Sequence, residues 1–391
     1  MLNAKMTATA AVVSFATSFA SPAQADDFKI IIGAAVAQSG LFSQFDLPAL
    51  QMVEIAIDDL NARGGIDGRE VVLITSDTGS RVEEGRAAAM QVIDAGAELI
   101  LVTCDFDFGS PAANTAQEAG LVVFSLCAQS PKFGVQGIGP LAYTAAPATY
   151  NEGAVLSQFA QDELNTEGMF LLIDDTIAYT QEVCDGFRTH WTEAGNEIAG
   201  EAYYRNSDPN VRSQINEIMR SNANTVMICG YAPGAPSAMR QLRAAGFEGT
   251  FLAPNTLDGT FWLDTLPDVS GLYVSATRSV YGDDPSASVQ AAIAAHQAKF
   301  GSPPISGFAL SGYAAVEAMA KAVEMAASTD GKAVAAALDS FKDVELLNGL
   351  TSFSPDLHIN ADRPMAIIEF KNGVPSYVGT TDPGSVVIPG F

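Results

Sequence analysis

Short β-rich runs alternate with amphipathic helices from residue 29 onward, and this alternation constrains the fold more than any other feature. KIIIGAAVA (29–37) predicts a buried strand, and apolar residues three or four apart from Leu50 to Leu60 predict a helix. Two glycines in IDDLNARGGIDGREVVLI (57–74) end that helix and turn the chain directly into a strand. Short connections of this kind keep parallel strands adjacent, so the pattern predicts an α/β fold with parallel sheets covered on both faces.

The same alternation predicts the remaining elements. Further strands are predicted at 70–74, 98–102, 121–124, 169–173, 197–204, 225–228, 250–253 and 365–370. Helices are predicted at about 81–95, 110–119, 151–165, 179–194, 210–221 and 235–245, and after residue 278 at 285–300, 307–327 and 330–341. A chain of 391 residues is long enough for two such domains.

The first 25 residues are typical of a secretory signal peptide. Lys5 precedes an apolar run over about 8–20, and Ala23 and Ala25 have the spacing of a cleavage site, so we expect cleavage after Ala25. The apolar run is shorter than the roughly 20 residues that a membrane-spanning helix needs. We therefore expect an exported protein that resides in the periplasm.

Charge and metal-ligand spacing exclude several classes of protein. A formal net charge of −25 argues against nucleic acid as a partner. The three histidines are scattered and the four cysteines form no C-x-x-C pair, so neither a metal nor a cofactor is predicted. In an exported protein the cysteines allow three pairings, of which Cys104 with Cys127 is favoured because both follow strand-like runs in adjoining units. Four free thiols are the alternative.

No motif supports catalysis. CDFDFGSP (104–111) contains D-x-D and D-F-G, but no glycine-rich phosphate loop or partner lysine accompanies them. A G-x-S-x-G nucleophile elbow is also missing from the sequence. We therefore predict that the protein is not an enzyme.

The loops that follow the predicted strands are rich in aromatic, Asp, Gln and Ser residues. Ligands of open parallel sheets bind beyond the carboxyl ends of the strands. The loops at that position are 37–45, 103–111, 125–131, 174–179, 230–235 and 254–259. We expect them to form a cleft for a small molecule between two lobes.

Three segments in order resemble one family. These are SGLFSQF (39–45) with DDLNARGGIDGREVVLITSD (58–77), then TCDFDFGSPAANTAQEAGLVVFS (103–125), then GYAPGAPSAMRQLRAAGF (230–247). They are similar to the leucine/isoleucine/valine-binding protein family, the type I periplasmic solute receptors of branched-chain amino acid ABC transporters. The resemblance covers nearly the whole chain after residue 25.

This resemblance implies two doubly wound parallel-sheet lobes joined by a hinge that the chain crosses three times. Lobe 1 would comprise 26–147 plus 279–352, and lobe 2 would comprise 148–278 plus 353–391. It also implies that the lobes close over the ligand and that a monomer delivers the ligand to a membrane permease. A ligand-sensing receptor of the same fold is the alternative function.

The resemblance also implies a set of ligand-binding residues. From lobe 1 these are Phe45, Thr103, Asp105, Ala128 and Gln129, and from lobe 2 Tyr179, Tyr231 and Asn255. Phe45 falls where the family has an aromatic ring beside the ligand, and the two tyrosines match the pair of the second lobe. Asn255 falls where an acidic residue meets the α-ammonium, and the alternative alignment places Asp258 there.

Two of these residues depart from the family pattern. Thr103 and Asp105 flank a position where the family uses a serine against the α-carboxylate, so Asp105 would oppose that carboxylate with like charge. Asn255 would remove the partner of the α-ammonium. We therefore predict a cationic or neutral polar ligand rather than a standard branched-chain amino acid, with Asp107, Phe106 and Phe108 as further contacts. The alternative is that Asp105 or Asp107 caps the helix expected to begin near Ser110.

Overall fold

The computed structural model describes residue 1 and residues 29–390. The predicted signal peptide and its cleavage site after Ala25 therefore lie outside the described residues. Across residues 29–390, every helix is too short or too polar to cross a membrane.

Fourteen strands and ten α-helices make up the described chain. The strands are β1 Lys29–Val36, β2 Glu70–Asp77, β3 Leu99–Val102, β4 Val122–Ser125, β5 Ala142–Thr144, β6 Met169–Asp174, β7 Ile198–Tyr204, β8 Thr225–Cys229, β9 Thr250–Ala253, β10 Leu272–Ala276, β11 Val344–Leu346, β12 Gly349–Thr351, β13 Met365–Lys371 and β14 Val374–Thr381. The helices are α1 Ser43–Ala62, α2 Gly85–Asp94, α3 Phe106–Glu118, α4 Thr149–Glu163, α5 Ala178–Glu193, α6 Arg212–Ser221, α7 Gly234–Ala244, α8 Ala287–Phe300, α9 Leu310–Ala326 and α10 Gly331–Leu338.

The strands form two large sheets, as the alternation predicted. The first has the order β2-β1-β3-β4-β5 and is parallel throughout. The second has the order β14-β13-β10-β9-β8-β6-β7 and is parallel from β10 to β7, whereas β13 pairs antiparallel with both β10 and β14 at one edge. In both sheets the strand order reverses around the first strand of the sheet, which is the doubly wound arrangement. The predicted α/β fold class is confirmed.

The chain passes between the sheets three times. It leaves the first sheet after β5, returns after β10, and leaves again after β12 to form β13 and β14. Helices α8 to α10 belong with the first sheet, because Val289, Leu310 and Leu338 share a core with Ile30 and Ile32. The predicted three-crossover hinge is therefore present, and the exact boundaries of the lobes stay a prediction.

The glycine turn between α1 and β2 joins a helix to its neighbouring strand. Gly65 has a φ of +77°, and a Cβ there would lie 1.9 Å from the carbonyl oxygen of Arg69. Only glycine fits so close a backbone approach. On the far side of the turn, the Asn61 side-chain amide bonds both the N–H and the carbonyl of Val71, each at 2.8 Å. The turn thus fixes where β2 begins beside β1.

Some elements differ from their prediction. Helix α3 begins at Phe106 and not near Ser110, because the Asp105 carboxylate accepts a hydrogen bond from the N–H of Phe108 at 3.0 Å and caps the helix earlier. The sequence analysis also missed β5, β10, β11, β12 and β14. Three of these strands have only three residues, and β14 contains a proline and a glycine, which weaken the pattern of a strand.

Candidate functional site

The carboxyl ends of strands from both sheets face one another across a narrow cavity. Loops after β3 and β4 form one wall, and loops after β6, β8 and β9 form the other. The lining residues are Phe42, Phe45, Cys104, Asp105, Cys127, Gln129, Ile177, Tyr179, Tyr231, Asn255, Thr256 and Phe308. The cavity has a volume of about 30 Å³, which is room for a few water molecules at most.

An aromatic cluster closes one end of the cavity. The Phe42 ring lies 4.1 Å from the Phe108 ring and 6.3 Å from the Tyr231 ring, centroid to centroid. Phe45 lies 5.7 Å from Phe308 in the same way. Because Phe42 and Tyr231 follow strands of different sheets, these rings pack across the cleft. They offer an apolar surface or a ring face to a bound molecule.

A polar bridge crosses the middle of the cavity. Asn255 Nδ2 donates a hydrogen bond to Gln129 Oε1 at 2.8 Å. The Tyr179 hydroxyl lies 3.1 Å from Asn255 Oδ1 and 2.8 Å from Glu152 Oε2. Gln129 Nε2 is buried and makes no hydrogen bond of normal geometry among the described residues, although the Gln129 side chain is close enough to Glu152 to lower the pKa of that carboxyl. A ligand acceptor such as a carbonyl or carboxylate oxygen would give this N–H₂ group a well-formed partner.

Glu152 lies behind the polar bridge and holds it in place. Its carboxylate accepts hydrogen bonds from Ser275 Oγ at 2.6 Å and from the Asn255 N–H at 2.7 Å, and its side chain is fully buried. Burial raises the pKa of Glu152, and these hydrogen bonds oppose the rise. Glu152 thus orients both Asn255 and Tyr179.

Two further carboxyl groups lie on the side of the first sheet. Asp46 accepts hydrogen bonds from the N–H of Ala37 at 2.6 Å and of Cys104 at 2.8 Å. Burial raises the pKa of Asp46 to about 7. Burial, together with the negative charge of Asp107, also raises the pKa of Asp105 to about 7. Among the described residues that line the cavity, none is Lys, Arg or His, so the cavity has an acidic character.

The structure brings six of the eight predicted site residues to the cavity wall, namely Phe45, Asp105, Gln129, Tyr179, Tyr231 and Asn255. Thr103 and Ala128 are buried behind the wall. The Ser125 hydroxyl donates to the Thr103 carbonyl at 2.8 Å and accepts from the Ala128 N–H at 2.8 Å, which holds both backbones inward. Asp105 both caps α3 and lines the cavity, so the two interpretations of this residue are compatible.

Two other acids considered from the sequence do not line the cavity. Asp107 Oδ2 accepts a hydrogen bond from the N–H of Ala178 at 3.0 Å. Asp258 is buried and accepts from Ser306 Oγ at 2.8 Å and from the Tyr281 hydroxyl at 2.6 Å. Neither lines the cavity, so of the two alternatives in the β9 loop Asn255 faces it and Asp258 does not.

Sequence reasoning missed several residues of the site. Phe42, Ile177 and Thr256 line the cavity from loops that were singled out without naming these residues, and Phe308 lines it from outside those loops. Glu152 was also missed, because an acidic residue near the start of a helix normally faces solvent. Phe308 is far from the other lining residues in the sequence, and it does not belong to a recognised motif.

The structure contains two disulfide bonds. Cys104 pairs with Cys127 with a Cα–Cα distance of 4.4 Å, which links the loops after β3 and β4 at the cavity wall. Cys184 pairs with Cys229, which links α5 to β8. Residues 29–390 contain no group of three or more His, Cys, Asp or Glu side chains placed to hold a metal ion.

The sequence matches a family described as periplasmic binding protein over residues 29–374. Leu/Ile/Val-binding protein homolog 3 of Brucella melitensis is 25% identical over 349 residues, which are 88% of this chain and 91% of that protein. The leucine-, isoleucine-, valine-, threonine- and alanine-binding protein of Pseudomonas aeruginosa is 22% identical over 314 residues, or 80% and 82% of the two chains.

Solved structures show the same fold. The branched-chain amino acid transporter substrate binding protein LivJ of Streptococcus pneumoniae, in complex with isoleucine, superimposes with a TM-score of 0.79 at 20% identity and covers 90% of this chain and 99% of its own. The leucine binding protein LivK of Thermotoga maritima gives a TM-score of 0.79 at 21% identity with the same coverage.

Proposed function

This chain belongs to the periplasmic binding protein family, in its Leu/Ile/Val-binding type, and on that premise we propose that it is the solute-binding component of an ABC importer. In this role it binds a small polar or amino-acid-like ligand between its lobes and presents it to a membrane permease. It acts in the periplasm as a monomer, after removal of the signal peptide, and performs no chemistry on the ligand.

One observation carries this proposal. The cavity lies at the carboxyl ends of strands from both sheets, and both walls contribute polar and aromatic side chains to it. A ligand in this place contacts both lobes at once and therefore stabilises the closed arrangement relative to an open one. Relatives with similar lengths are named as receptors for branched-chain and other small amino acids, which supports an amino-acid-like ligand.

The charges of the cavity favour a ligand that carries an amino group. Asp105 faces the cavity, and no cation among its described lining residues competes for that carboxylate. A ligand ammonium group would supply the positive charge that the described lining residues lack, and it would hold Asp105 ionised near neutral pH. The aromatic cluster around Phe42 suits the remainder of the ligand, and the free Gln129 Nε2 suits an acceptor atom on it.

A standard branched-chain amino acid fits these groups poorly. Its α-carboxylate would meet Asp105 with like charge, which costs free energy in a partly dry cleft. Its α-ammonium would meet the side chain of Asn255, which carries no charge and already bonds Gln129. We therefore propose an amine, amide or amino-acid derivative rather than leucine, isoleucine or valine.

Ligand binding also requires the lobes to move. A molecule with the size of an amino acid does not fit into 30 Å³, so the two sheets must separate before it enters. Rotation about the three crossing segments opens such a cleft without unfolding either core.

A thermal-shift screen tests the proposal. The chain from residue 26 onward would be screened against amino acids, amines, amides and small aromatic compounds, followed by calorimetry on each hit. A ligand at 100 times its dissociation constant should stabilise the protein by about 2.7 kcal/mol. No stabilisation by any compound, together with unchanged small-angle scattering, would contradict a receptor function.

Matched variants test the ligand class. Gln129→Met removes the free N–H₂ group and should weaken ligand binding about tenfold, whereas Gln181→Met, at an exposed position of α5, should not. Tight binding of leucine or valine that is unchanged by Asp105→Ser would contradict the proposed class and leave the receptor function intact.

A further inference from the structure

A larger cavity lies where the second and third crossing segments meet, away from the strand-end site. Its volume is about 600 Å³, and its wall includes Arg278, Asn348, Gly349, Leu350, Asn360 and Arg363. Arg278 lies on the second crossing segment, between β10 and α8, and Arg363 on the third, between β12 and β13. Neither arginine lines the strand-end cavity, so the proposed ligand site does not account for them.

Arg363 is buried within the crossing segments. Its side chain is 5% exposed and donates hydrogen bonds to the carbonyl of Ala145 at 2.9 Å, the carbonyl of Leu350 at 2.9 Å and Thr351 Oγ1 at 2.6 Å. All of these acceptors are neutral. Burial, together with the positive charge of Arg278, lowers the pKa of Arg363 to about 9. The environment of this guanidinium group thus lacks a negative charge.

Arg278 lies close to Arg363 and has no partner for its side chain. A Cβ placed on Gly349 would lie 3.4 Å from Arg363 Nε and 3.8 Å from Arg278 Nη2, so the two guanidinium groups flank this glycine. Arg278 Nε is buried and has no hydrogen-bond partner in the described part of the chain. Within residues 29–390, the Arg278 guanidinium group therefore has at least this one buried N–H without an acceptor, and it lines the cavity.

The acidic residues nearby do not neutralise this pair. Asp343 and Asp362 line the same cavity, but within residues 29–390 neither comes within the 4.0 Å of an arginine nitrogen that defines an ion pair. Two adjacent cations without a carboxylate are costly in a partly buried place. The chain has 45 acidic and only 20 basic residues, yet no carboxylate of the described residues pairs with these two arginines, which leaves their charge available to a ligand.

We propose that this cavity binds a small oxyanion, with Arg278 as its main ligand and Arg363 as a second positive charge. The planar guanidinium fork matches two oxygens of a sulfate, phosphate or carboxylate group. The cavity has ample room for such an ion with its water. Since the two arginines belong to different crossing segments, a bound oxyanion links those segments to each other.

Inorganic sulfate is a suitable probe. Equilibrium dialysis of the chain from residue 26 onward with radiolabelled sulfate, at fixed ionic strength in chloride and pH 7, should show one saturable site per chain. Arg278→Gln should raise the dissociation constant at least tenfold. Arg220→Gln, which removes an exposed arginine of α6, should leave it unchanged. Competition with phosphate and with acetate distinguishes a tetrahedral ion from a carboxylate.

Two results would overturn the proposal: a wild-type protein without saturable sulfate binding, or an Arg278→Gln variant that binds sulfate as the wild type does. Arg278→Lys keeps the charge and removes the fork, so it should bind with intermediate affinity and serves if Arg278→Gln does not fold. The assay needs no ligand in the strand-end cavity, so its outcome is independent of the proposed transport function.

Discussion

Asp107 on α3 accepts a hydrogen bond from the backbone N–H of Ala178, the first residue of α5, at 3.0 Å. The two helices belong to different sheets, so this contact bridges the mouth of the cleft. It places a carboxylate at the N-terminus of α5, where the helix dipole favours negative charge. This contact therefore stabilises the closed arrangement of the lobes.

Asp107→Ala should shift the molecule toward an open arrangement. A hydrogen bond to a partly exposed charged group contributes about 1 kcal/mol, so the dissociation constant of the ligand should rise roughly fivefold. Small-angle scattering should show a larger radius of gyration than in the wild type. Asp94→Ala, which changes an exposed aspartate at the end of α2, is the matched control. Equal radii of gyration for all three proteins would contradict a stabilising role of the Asp107–Ala178 contact.

Glu152→Ala should destabilise the fold and the site together. It leaves the Ser275 hydroxyl and the N–H of Asn255 as buried donors without an acceptor and removes the shorter of two hydrogen bonds of Tyr179, which costs about 1–3 kcal/mol for a single group and more for several. Urea denaturation measures this loss. Glu163→Ala, at the exposed end of the same helix, should change the free energy of unfolding little. Equal midpoints for the two variants would show that Glu152 contributes nothing.

Stability should fall as the pH rises from about 5 to 7. Asp46 and Asp105 have folded-state pKa values of about 7, above the ordinary value of 3.8. In this range the folded protein retains protons that the unfolded chain has lost. Each group therefore lowers the free energy of unfolding by up to about 1.4 kcal/mol for each unit that the pH rises. The stabilisation that these two carboxyl groups provide is complete below about pH 4 and is lost as the pH passes 7.

Asp105→Asn isolates one of these groups. Asparagine keeps an acceptor for the Phe108 N–H and remains a good helix cap. Urea denaturation at pH 5, 6, 7 and 8 should therefore show that the free energy of unfolding changes less with pH in Asp105→Asn than in the wild type. Parallel curves would mean that Asp105 is ionised throughout this range.

Removal of the Cys184–Cys229 disulfide should lower stability strongly. The bond closes a loop of 45 residues and joins α5 to β8 within one core. In the chain-entropy description, a loop of this length corresponds to about 4 kcal/mol. The double variant Cys184→Ala/Cys229→Ala, measured by urea denaturation against the oxidised wild type, checks this value. A loss below about 1 kcal/mol would contradict it.

Local pattern was sufficient to predict most of the two sheets. The spacing of apolar residues and the glycine turn at Gly65 depend on neighbours in the chain, so α1 and β2 were predicted near their observed positions. Strands of three residues such as β11 and β12 have too little pattern to recognise. The three crossings came from the family resemblance, because no local signal shows to which sheet a helix returns.

The cavity was predictable to the extent that it follows from strand ends. Gln129 and Tyr231 lie in loops that follow predicted strands, and both line it. Glu152 and Phe308 reach the site from a helix and from a short 3-10 helix that the chain brings back from elsewhere. The proximity of Arg278 and Arg363 could not be predicted for the same reason, because two separate crossing segments bring these residues together.

Strands β1 and β14 belong to different sheets. A hinge rotation of one lobe against the other is therefore expected to alter the separation of Lys29 and Val374, two exposed positions at the starts of these strands. A donor and an acceptor dye attached there would convert ligand occupancy into a change of fluorescence colour, which would make the protein an optical sensor for its own solute.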